Sequence, residues 1–217
     1  MERRLPPELV VAEHLGVSRN LIRDCLSTLE REGFISRKRG VGTIINKHVL
    51  DVRVRMDLEE EFMDMVRRSG YEPGLSFVKN GFEEASKDVA AHFLIPEESK
   101  MYCSKRLVTA DGQPAIYCED YLPNALIKHP DCKLKNENAP VFDFLRQACG
   151  CEVVMDLTEV RPVSADAYLA EQFKVPVGTA LLFMDEVGYD FWGSPILNSR
   201  EYYVDGLLKH IVLRKMI

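Results

Sequence analysis

Apolar residues near the start of the chain recur at helical spacing. Within residues 6–15 they stand three and four positions apart, which predicts a helix that ends at Gly16. Ser18 is a favourable N-cap for a second helix over residues 19–32, and Gly33 stops that helix. The apolar stripe of the second helix consists of Leu21, Ile22, Cys25, Leu26 and Leu29.

Two short strand-like runs follow, at about residues 34–37 and 43–46, around a basic tip that contains two glycines. Two helices joined by a short turn and followed by a hairpin are the pattern of a winged helix-turn-helix. Residues 1–46 are therefore predicted to form a DNA-binding domain. Residues 47–57 are interpreted as a linker that can add a strand.

The rest of the chain alternates strand-like runs with short helical ones, and no internal repeat is evident. Consecutive strands joined by tight turns predict antiparallel hairpins. Residues 58–217 are therefore expected to form an α+β domain, an antiparallel sheet with flanking helices. The predicted helices lie at residues 57–69, 86–94, 140–148 and 165–173, and the predicted strands at 75–83, 100–109, 114–122, 152–163, 179–189 and 195–205, with a further one within 207–214.

Charge is distributed unevenly along the 217 residues. Residues 1–48 hold nine Lys/Arg against six Asp/Glu, a net charge of +3, while the remainder holds nineteen against twenty-eight, a net charge of −9. A basic head on an acidic body indicates that the head meets a polyanion and the body does not.

Several classes of protein are not expected. No apolar run is long enough to cross a membrane and the first residues do not resemble a signal peptide, so a cytoplasmic location without membrane contact is expected. The cysteines lack the spacing of a zinc site, so neither a metal nor another cofactor is expected and the thiols should be reduced. They are Cys25, Cys103, Cys118, Cys132, Cys149 and Cys151.

The first turn of the second helix carries side chains suited to base edges in a major groove. Arginine can donate two hydrogen bonds to guanine, and asparagine can pair with adenine. The alternative is an ordinary surface helix beside a solvated basic loop. The predicted DNA contacts are Ser18, Arg19, Asn20 and Arg23 in the helix and Arg37, Lys38, Arg39, Gly42 and Thr43 in the hairpin.

The head resembles the winged helix-turn-helix of GntR-type bacterial repressors. The resemblance is carried by LPPELVVAEHLGVSRNLIRDCLSTLEREGFISRKRGVGTII, and it implies that Arg19 and Arg23 contact DNA while Gly42 and Thr43 form the wing tip. Two departures from the family pattern lower the expected affinity for DNA. Only four residues precede Leu5 where the family has a further helix, and Leu9 stands where the family usually has an arginine. Loss of that helix should leave some of Val10, Val11, Ile22 or Leu26 partly uncovered.

The body resembles the UTRA effector-binding domain of the HutC subfamily, which shares its fold with chorismate lyase. The resemblance is carried by RLVTADGQPAIYCEDYLP, PVFDFLRQACG and NSREYYVDG. It implies a small effector between the sheet and the helices, with Arg106 on an anionic group and Tyr203 as a second contact. Any arginine that faces inward needs an anion as its partner. The alternative to a ligand anion is that Arg106 pairs with an acid of the chain, such as Glu119 or Glu186.

Polar positions that hold phosphorylated sugars in the family are replaced here, among them by Val108, Pro140 and Leu197. A pocket that has lost these polar groups cannot replace the water around a phosphate dianion with hydrogen bonds, so it should bind that group poorly. The expected effector is less charged and more apolar than a sugar phosphate, with a single carboxylate for Arg106 as one option. The candidate effector contacts are Arg106, Cys118, Glu119, Phe142, Asn198, Arg200, Glu201 and Tyr203.

The sequence thus predicts a homodimer that binds a palindromic operator, with repression relieved by the effector and activation as the alternative. Two other functions stay open. The first is an effector-binding protein that has lost DNA binding. The second is an enzyme of chorismate-lyase type that would use Arg106 and Glu119, although no catalytic constellation stands out.

Overall fold

The structure is a computed structural model that describes residues 4–58, 60–129 and 140–214. It divides into two compact units. The first, called the head, comprises Met1–Glu59 and His210–Ile217, and the second, called the body, comprises Glu60–Lys209. The last residues of the chain therefore fall with the head, a grouping that the sequence did not indicate.

The two helices of the head begin and end close to the predicted positions. They are α1 (Glu8–Leu15) and α2 (Arg19–Arg31), joined at Gly16, whose φ of 66° is left-handed. The Ser18 Oγ accepts a hydrogen bond from the Leu21 amide at 3.2 Å, which satisfies one free amide of the first turn. The predicted N-cap is therefore confirmed.

The wing is the hairpin of β1 (Ile35–Lys38) and β2 (Gly42–Ile45). Gly42 has a φ of +101°, a backbone conformation that favours glycine because a Cβ would be strained there. The Leu5 amide donates to the Thr43 carbonyl at 2.9 Å, so the residues before α1 extend the hairpin.

A small apolar core joins the helices of the head to the wing. Ala12, Ile22, Leu26 and Ile35 are buried there, with Leu5 and Val11 packed against them. Of the side chains expected to be partly uncovered, Val10 is 49% exposed and Val11 is intermediate, whereas Ile22 and Leu26 are only 6% exposed. The expectation is therefore met by Val10 and Val11, while the wing and α1 cover Ile22 and Leu26.

The linker contains a short helix, α3 (Lys47–Leu50), and a short strand, β3 (Val54–Arg55). β3 pairs in parallel with β10 (His210–Ile211), and the Met56 amide donates to the Ile211 carbonyl at 3.0 Å. The predicted strand in the linker and the predicted last strand therefore pair with each other.

Arg55 ties the linker to the end of α2. Its guanidinium donates from Nη1 to the Glu32 carbonyl at 2.9 Å and from Nε to the Asp57 carboxylate at 3.0 Å. The side chain is only 7% exposed, and its Cζ lies 5.3 Å from the ring centroid of Phe34. The hydrogen bond to Asp57 raises the pKa of Arg55, although burial opposes this.

The body is built on one six-stranded antiparallel sheet of order β4-β5-β6-β9-β8-β7. The strands are β4 (Pro73–Glu84), β5 (Lys100–Ala110), β6 (Gln113–Pro123), β7 (Met155–Ser164), β8 (Ala180–Tyr189) and β9 (Pro195–Val204), and all follow the predicted runs. An α+β domain with an antiparallel sheet is confirmed.

Within the described residues, four α-helical segments flank the sheet, and a 3-10 turn over Asn124–Leu126 follows β6. They are α4 (Phe62–Arg68), α5 (Lys87–Phe93), α6 (Val141–Phe144), which continues as a π turn over Leu145–Cys149, and α7 (Ala167–Phe173). The predicted helix 57–69 was too long at its start, because the Glu61 carboxylate caps α4 by accepting from the Met63 amide at 2.8 Å.

The body contains an internal repeat that the sequence analysis missed. β4-α5-β5-β6 and β7-α7-β8-β9 have the same order, and the two halves meet at the pair β6–β9. Local contacts repeat as well. The Ser86 Oγ caps α5 and the Asp166 Oδ1 caps α7, and both helices end at a left-handed residue, Leu94 and Lys174. The repeat leaves a trace in the sequence, because Ala85, Phe93 and Pro96 recur as Ala165, Phe173 and Pro176.

Replacing Arg55 with methionine should destabilise the head, because the change removes three hydrogen bonds of a buried cation and leaves Asp57 without its partner. We expect a loss of about 1–3 kcal/mol in the free energy of unfolding, measured with urea. The control is Arg67→Met, which breaks an exposed pair with Asp64 and should cost about 0.5 kcal/mol or less. Equal losses in both variants would contradict the buried role.

Candidate functional site

The first turns of α2 present two arginines at an exposed surface. The side chains of Arg19 and Arg23 are 59% and 50% exposed, and the Glu8 carboxylate lies 3.3 Å from the Arg19 Nε and 3.6 Å from an Arg23 Nη. Asn20 is exposed beside them. Glu8 thus holds both guanidinium groups on one side of the helix. Exposed ion pairs are weak, so DNA can replace Glu8 as their partner.

The wing tip carries two further exposed cations, Lys38 and Arg39. Arg37 is arranged differently. Its Nε donates to the Glu30 Oε2 at 2.7 Å, its amide donates to the Glu30 Oε1 at 2.9 Å, and its Nη2 donates to the Ser27 Oγ at 3.1 Å. These bonds fasten β1 to α2. The structure therefore gives Arg37 a role in positioning the wing, while Lys38 and Arg39 project freely.

A group of buried and half-buried polar side chains lies on one face of the inner strands of the sheet. Side chains alternate between the two faces of a strand, and the register places Arg106 opposite Cys118, Cys118 opposite Glu201 and Ser199 opposite Glu186. Burying so many polar groups together costs free energy. A cluster of this kind is typical of a ligand site. We call this surface the polar face. It consists of Ser104, Arg106, Cys118, Asp120, Glu186, Ser199, Glu201 and Tyr203.

An internal ion pair neutralises the arginine of the polar face. The Arg106 Nη2 lies 3.0 Å from the Asp120 Oδ2, and both side chains are buried. Burial lowers the pKa of Arg106, but the charge and hydrogen bond of Asp120, together with weaker effects that include the charge of Glu61, outweigh burial and raise it. Asp120 also accepts from the Ser199 Oγ at 2.8 Å and the Cys118 Sγ at 3.3 Å. An acid does pair with Arg106, but it is neither Glu119 nor Glu186.

Two other candidates from the sequence lie on the polar face in protonated form. Burial raises the pKa of the Cys118 thiol and that of the Tyr203 hydroxyl well above their ordinary values. The Tyr203 hydroxyl donates to the Glu201 carboxylate. Cys118 is therefore no thiolate nucleophile, and Tyr203 acts as a hydrogen-bond donor.

The structure places three sequence candidates on the opposite face of the sheet. Glu119 accepts from the hydroxyls of Tyr117 at 2.9 Å and Tyr121 at 3.1 Å. Asn198 donates to the Asp185 carboxylate at 2.7 Å, and Arg200 stands opposite Glu119 in the register. Strand alternation therefore separates these three residues from Arg106.

Phe142 stands apart from the polar residues of the site. It lies on α6, is half-buried, and packs on the apolar cluster around Leu122 and Leu197. In the same region the ring of Phe144 stacks on Tyr102 at a centroid distance of 4.2 Å. α6 and its π turn therefore close one end of the polar face with apolar side chains.

Asp120, Glu186 and Ser199 were missed as site residues, although each lies on the polar face. Alternation from Cys118 could have identified Asp120, since the two stand two positions apart on one strand. Glu186 and Ser199 require the pairing of β8 with β9, which joins segments that are distant in sequence.

The carboxyl of Glu186 has a perturbed pKa. Its pKa is raised to about 7, chiefly by burial and further by the negative charges of Asp156, Asp120 and Asp185, while the hydrogen bond from Thr158 opposes the shift. At neutral pH this group is therefore only partly ionised.

Metal chemistry finds no support in the residues described. Within residues 4–58, 60–129 and 140–214 no group of three His, Cys, Asp or Glu side chains is arranged to hold a metal ion. The five cysteines in these ranges are free thiols, and Cys132 lies outside the described residues. No helix of the described chain is long and apolar enough to span a membrane.

Glu186 should make the stability of the body depend on pH. Its pKa is about 7 in the folded protein and near 4.5 in a solvated chain, so its contribution to stability is lost as pH rises through this window. Glu186→Gln does not titrate, and we expect its stability relative to the parent to rise between about pH 4.5 and 7. Urea unfolding at several pH values measures this. Glu159→Gln, at an exposed position of β7, is the control. A pH-independent difference for Glu186→Gln would contradict the shifted pKa.

Family models match both units. Residues 1–45 match the bacterial regulatory proteins of the gntR family, and residues 68–205 match the UTRA domain. Among relatives, the HTH-type transcriptional repressor NagR of Bacillus subtilis is 21% identical over 199 residues, which span 92% of this chain and 80% of that protein. The regulator GmuR of the same organism is 27% identical over 197 residues, 90% of this chain and 82% of that protein.

Solved structures share the fold at low sequence identity. The possible transcriptional regulator YydK from Bacillus subtilis superposes with a TM-score of 0.79 at 19% identity, over 98% of this chain and 90% of that chain. PhnF from Mycobacterium smegmatis superposes with a TM-score of 0.65 at 18% identity, over 99% and 94%. With the domain matches, these findings identify the chain: it belongs to the GntR family of bacterial regulatory proteins and is a transcriptional regulator with a UTRA effector-binding domain.

Proposed function

We propose that the chain is a homodimeric repressor of the HutC type whose affinity for a palindromic operator is changed by a small effector at the polar face. The proposal treats residues 1–46 as the DNA-binding domain, 47–57 as the linker and 58–217 as the effector-binding domain. Since operator DNA lies in the cytoplasm of a bacterium, the protein is expected there.

One observation carries the DNA-binding part of the proposal. The exposed arginines at the start of α2, Arg19 and Arg23, stand on the end of the helix that enters a major groove in helix-turn-helix proteins. The wing tip adds Lys38 and Arg39, which suit phosphates. Ser18, Asn20, Gly42 and Thr43 complete the proposed contact surface, and Arg37 contributes by fixing the wing.

A dimer follows from the size of this surface. One α2 can read only a few base pairs, which is too few for specific binding among many competing sites. Two heads related by a twofold axis would read half-sites about one helical turn apart, so the operator would be palindromic.

The polar face is the proposed effector site, with Arg106, Cys118, Glu201 and Tyr203 as contacts and Phe142 at its apolar end. The pairing of Arg106 with Asp120 supports the exclusion of sugar phosphates, because the buried cation that would neutralise a phosphate is already neutralised. The protonated Cys118 and Tyr203 support binding without catalysis.

The linker is the proposed route from the effector to the head. β9 carries Glu201 and Tyr203 and ends at Val204, and the chain then leads to β10, which pairs with β3. Arg55 of β3 is bonded to the carbonyl at the end of α2. The effector can change operator affinity only by the difference between its affinities for the DNA-competent and incompetent states.

Arg19→Ala should weaken binding to operator DNA by about 1–3 kcal/mol if the guanidinium reads a base. A mobility-shift titration with DNA from upstream of the gene measures this, with random DNA in parallel. Lys87→Ala is the control, since it removes an exposed charge from α5 in the body and should leave affinity unchanged. Equal losses on both DNAs would mark Arg19 as a phosphate contact.

The same titration tests the proposed function as a whole. Retardation that is reversed by a metabolite supports it, and light scattering of the purified protein should give the mass of a dimer. If the protein fails to retard the DNA while a metabolite raises its melting temperature, it is a sensor without DNA binding and the proposal fails.

A further inference from the structure

One edge of the sheet in the body is long, regular and rich in exposed apolar side chains. β7 stands last in the order of the described strands, and its ten residues pair with β8 without a shift in register. The side chains of Met155, Leu157 and Val160 are 59%, 63% and 43% exposed. An exposed apolar edge strand is a template for pairing with another chain.

The opposite edge of the sheet is built differently. β4 has a β-bulge between Leu75 and Phe77, and Lys79 is exposed in the middle of the strand. The exposed ring of Phe82 lies 4.2 Å from the Lys100 ammonium. Bulges and lysines keep a sheet edge from pairing with other chains. β4 has both features, whereas β7 has neither.

The pairing of β7 with β8 shows which backbone groups point to the open edge. The Ala165 amide donates to the Thr179 carbonyl at 2.8 Å, directly after the last pair of the register. Because bonding alternates along an antiparallel strand, odd-numbered residues of β7 bond to β8 and even-numbered ones point outward. Val160 therefore directs its amide and carbonyl to the open edge. Pro162 also faces this edge, so its missing amide costs the sheet no hydrogen bond.

The charged side chains of β7 favour one way of pairing two copies. A twofold axis makes the two strands antiparallel and sets one residue opposite its own copy. With the axis at Val160, Glu159 of each copy stands opposite Arg161 of the other, and Leu157 stands opposite Val163. Moving the axis by one residue, to Glu159 or to Arg161, would set like charges opposite each other, which is unfavourable. Glu159 and Arg161 are 75% and 51% exposed, so both side chains are available for such pairs.

We propose that β7 is the dimerisation edge of the protein and pairs with β7 of a second copy of this chain, with Val160 at the twofold axis. The inference rests on the homodimer of the proposed function and assigns a surface to it. The two sheets would become one continuous sheet, in which the Val160 residues of the two copies exchange two backbone hydrogen bonds. The Thr158 hydroxyl donates to the Glu186 carboxylate at 3.1 Å, so this edge directly adjoins the polar face.

Exposed apolar residues lie at both ends of β7. The loop of Phe191 and Trp192, whose side chains are 78% and 84% exposed, follows β8 next to the first residue of β7. At the other end, Val177 is 69% exposed in the turn after α7, and the next amide of that turn donates to the Ala165 carbonyl at 2.8 Å. Antiparallel pairing brings the first end of one copy to the last end of the other. Aromatic residues are enriched in interfaces between proteins, so these ends would enlarge the contact.

Charge reversal tests the proposed pairing in the full-length protein. Glu159→Arg and Arg161→Glu each set like charges opposite each other twice, and each should raise the dissociation constant of the dimer at least about ten times. The double variant restores opposite charges and should return the constant to within about threefold of the parent. Sedimentation velocity over a dilution series measures the constants. Lys79→Glu, on the opposite edge, is the control and should leave the constant unchanged.

A cysteine at the twofold axis tests the register. Facing residues of a hydrogen-bonded pair have Cα atoms about 5.5 Å apart, a distance that a disulfide spans. Val160→Cys should therefore give a covalent dimer after mild oxidation with diamide, seen on a non-reducing gel. Phe82→Cys, at an exposed position of β4, is the control. The parent is oxidised in parallel to account for the native thiols, and both it and the control should stay uncrosslinked.

Three results would overturn the inference: a dimer that neither single charge reversal weakens, a double variant that is no tighter than the single ones, or no crosslink with Val160→Cys. In each case a dimer that still retards operator DNA leaves the proposed function standing and shows that another surface holds the copies together. A parent protein that is monomeric at every concentration would contradict both this inference and the proposed homodimer.

Discussion

Buried charges on the inner strands need partners, and this requirement organises the effector-binding unit. An arginine keeps its charge even when it is buried, so it needs an acid within reach, and Asp120 on the neighbouring strand supplies one for Arg106. Asp120 also accepts a hydrogen bond from the hydroxyl of Ser199. One half of the polar face therefore holds a cation and an anion that neutralise each other. In the other half, Glu186 and Glu201 share the same face.

The head follows a different constraint, because it is small and has little apolar surface to bury. Its core of four buried side chains is supplemented by polar connections at its edges. Glu30 fastens the wing through Arg37, and Arg55 fastens the linker to the carbonyl of Glu32. Such bonds fix the wing and the linker to α2, where the apolar core is small.

Much of the fold could be predicted because its signals are local. Ser18 caps α2, Gly42 is required by the wing, and the strands of the body follow alternating runs of apolar residues. The start of α4 was misplaced because the capping side chain of Glu61, and not the periodicity, decides where the helix begins. The internal repeat was missed because the residues that the halves share, such as Phe93 and Phe173, are few, whereas the order of the strands makes it plain.

The sequence by itself determined the family, the order of the elements and the residues at the start of α2, since each depends on neighbours along the chain. Only the tertiary structure decided which polar residues share a face. Glu119 and Asp120 are adjacent in sequence, yet the pleat of β6 sends them to opposite sides of the sheet. The registers between β6, β9 and β8, which are long-range pairings, brought Glu186 and Glu201 to the same surface.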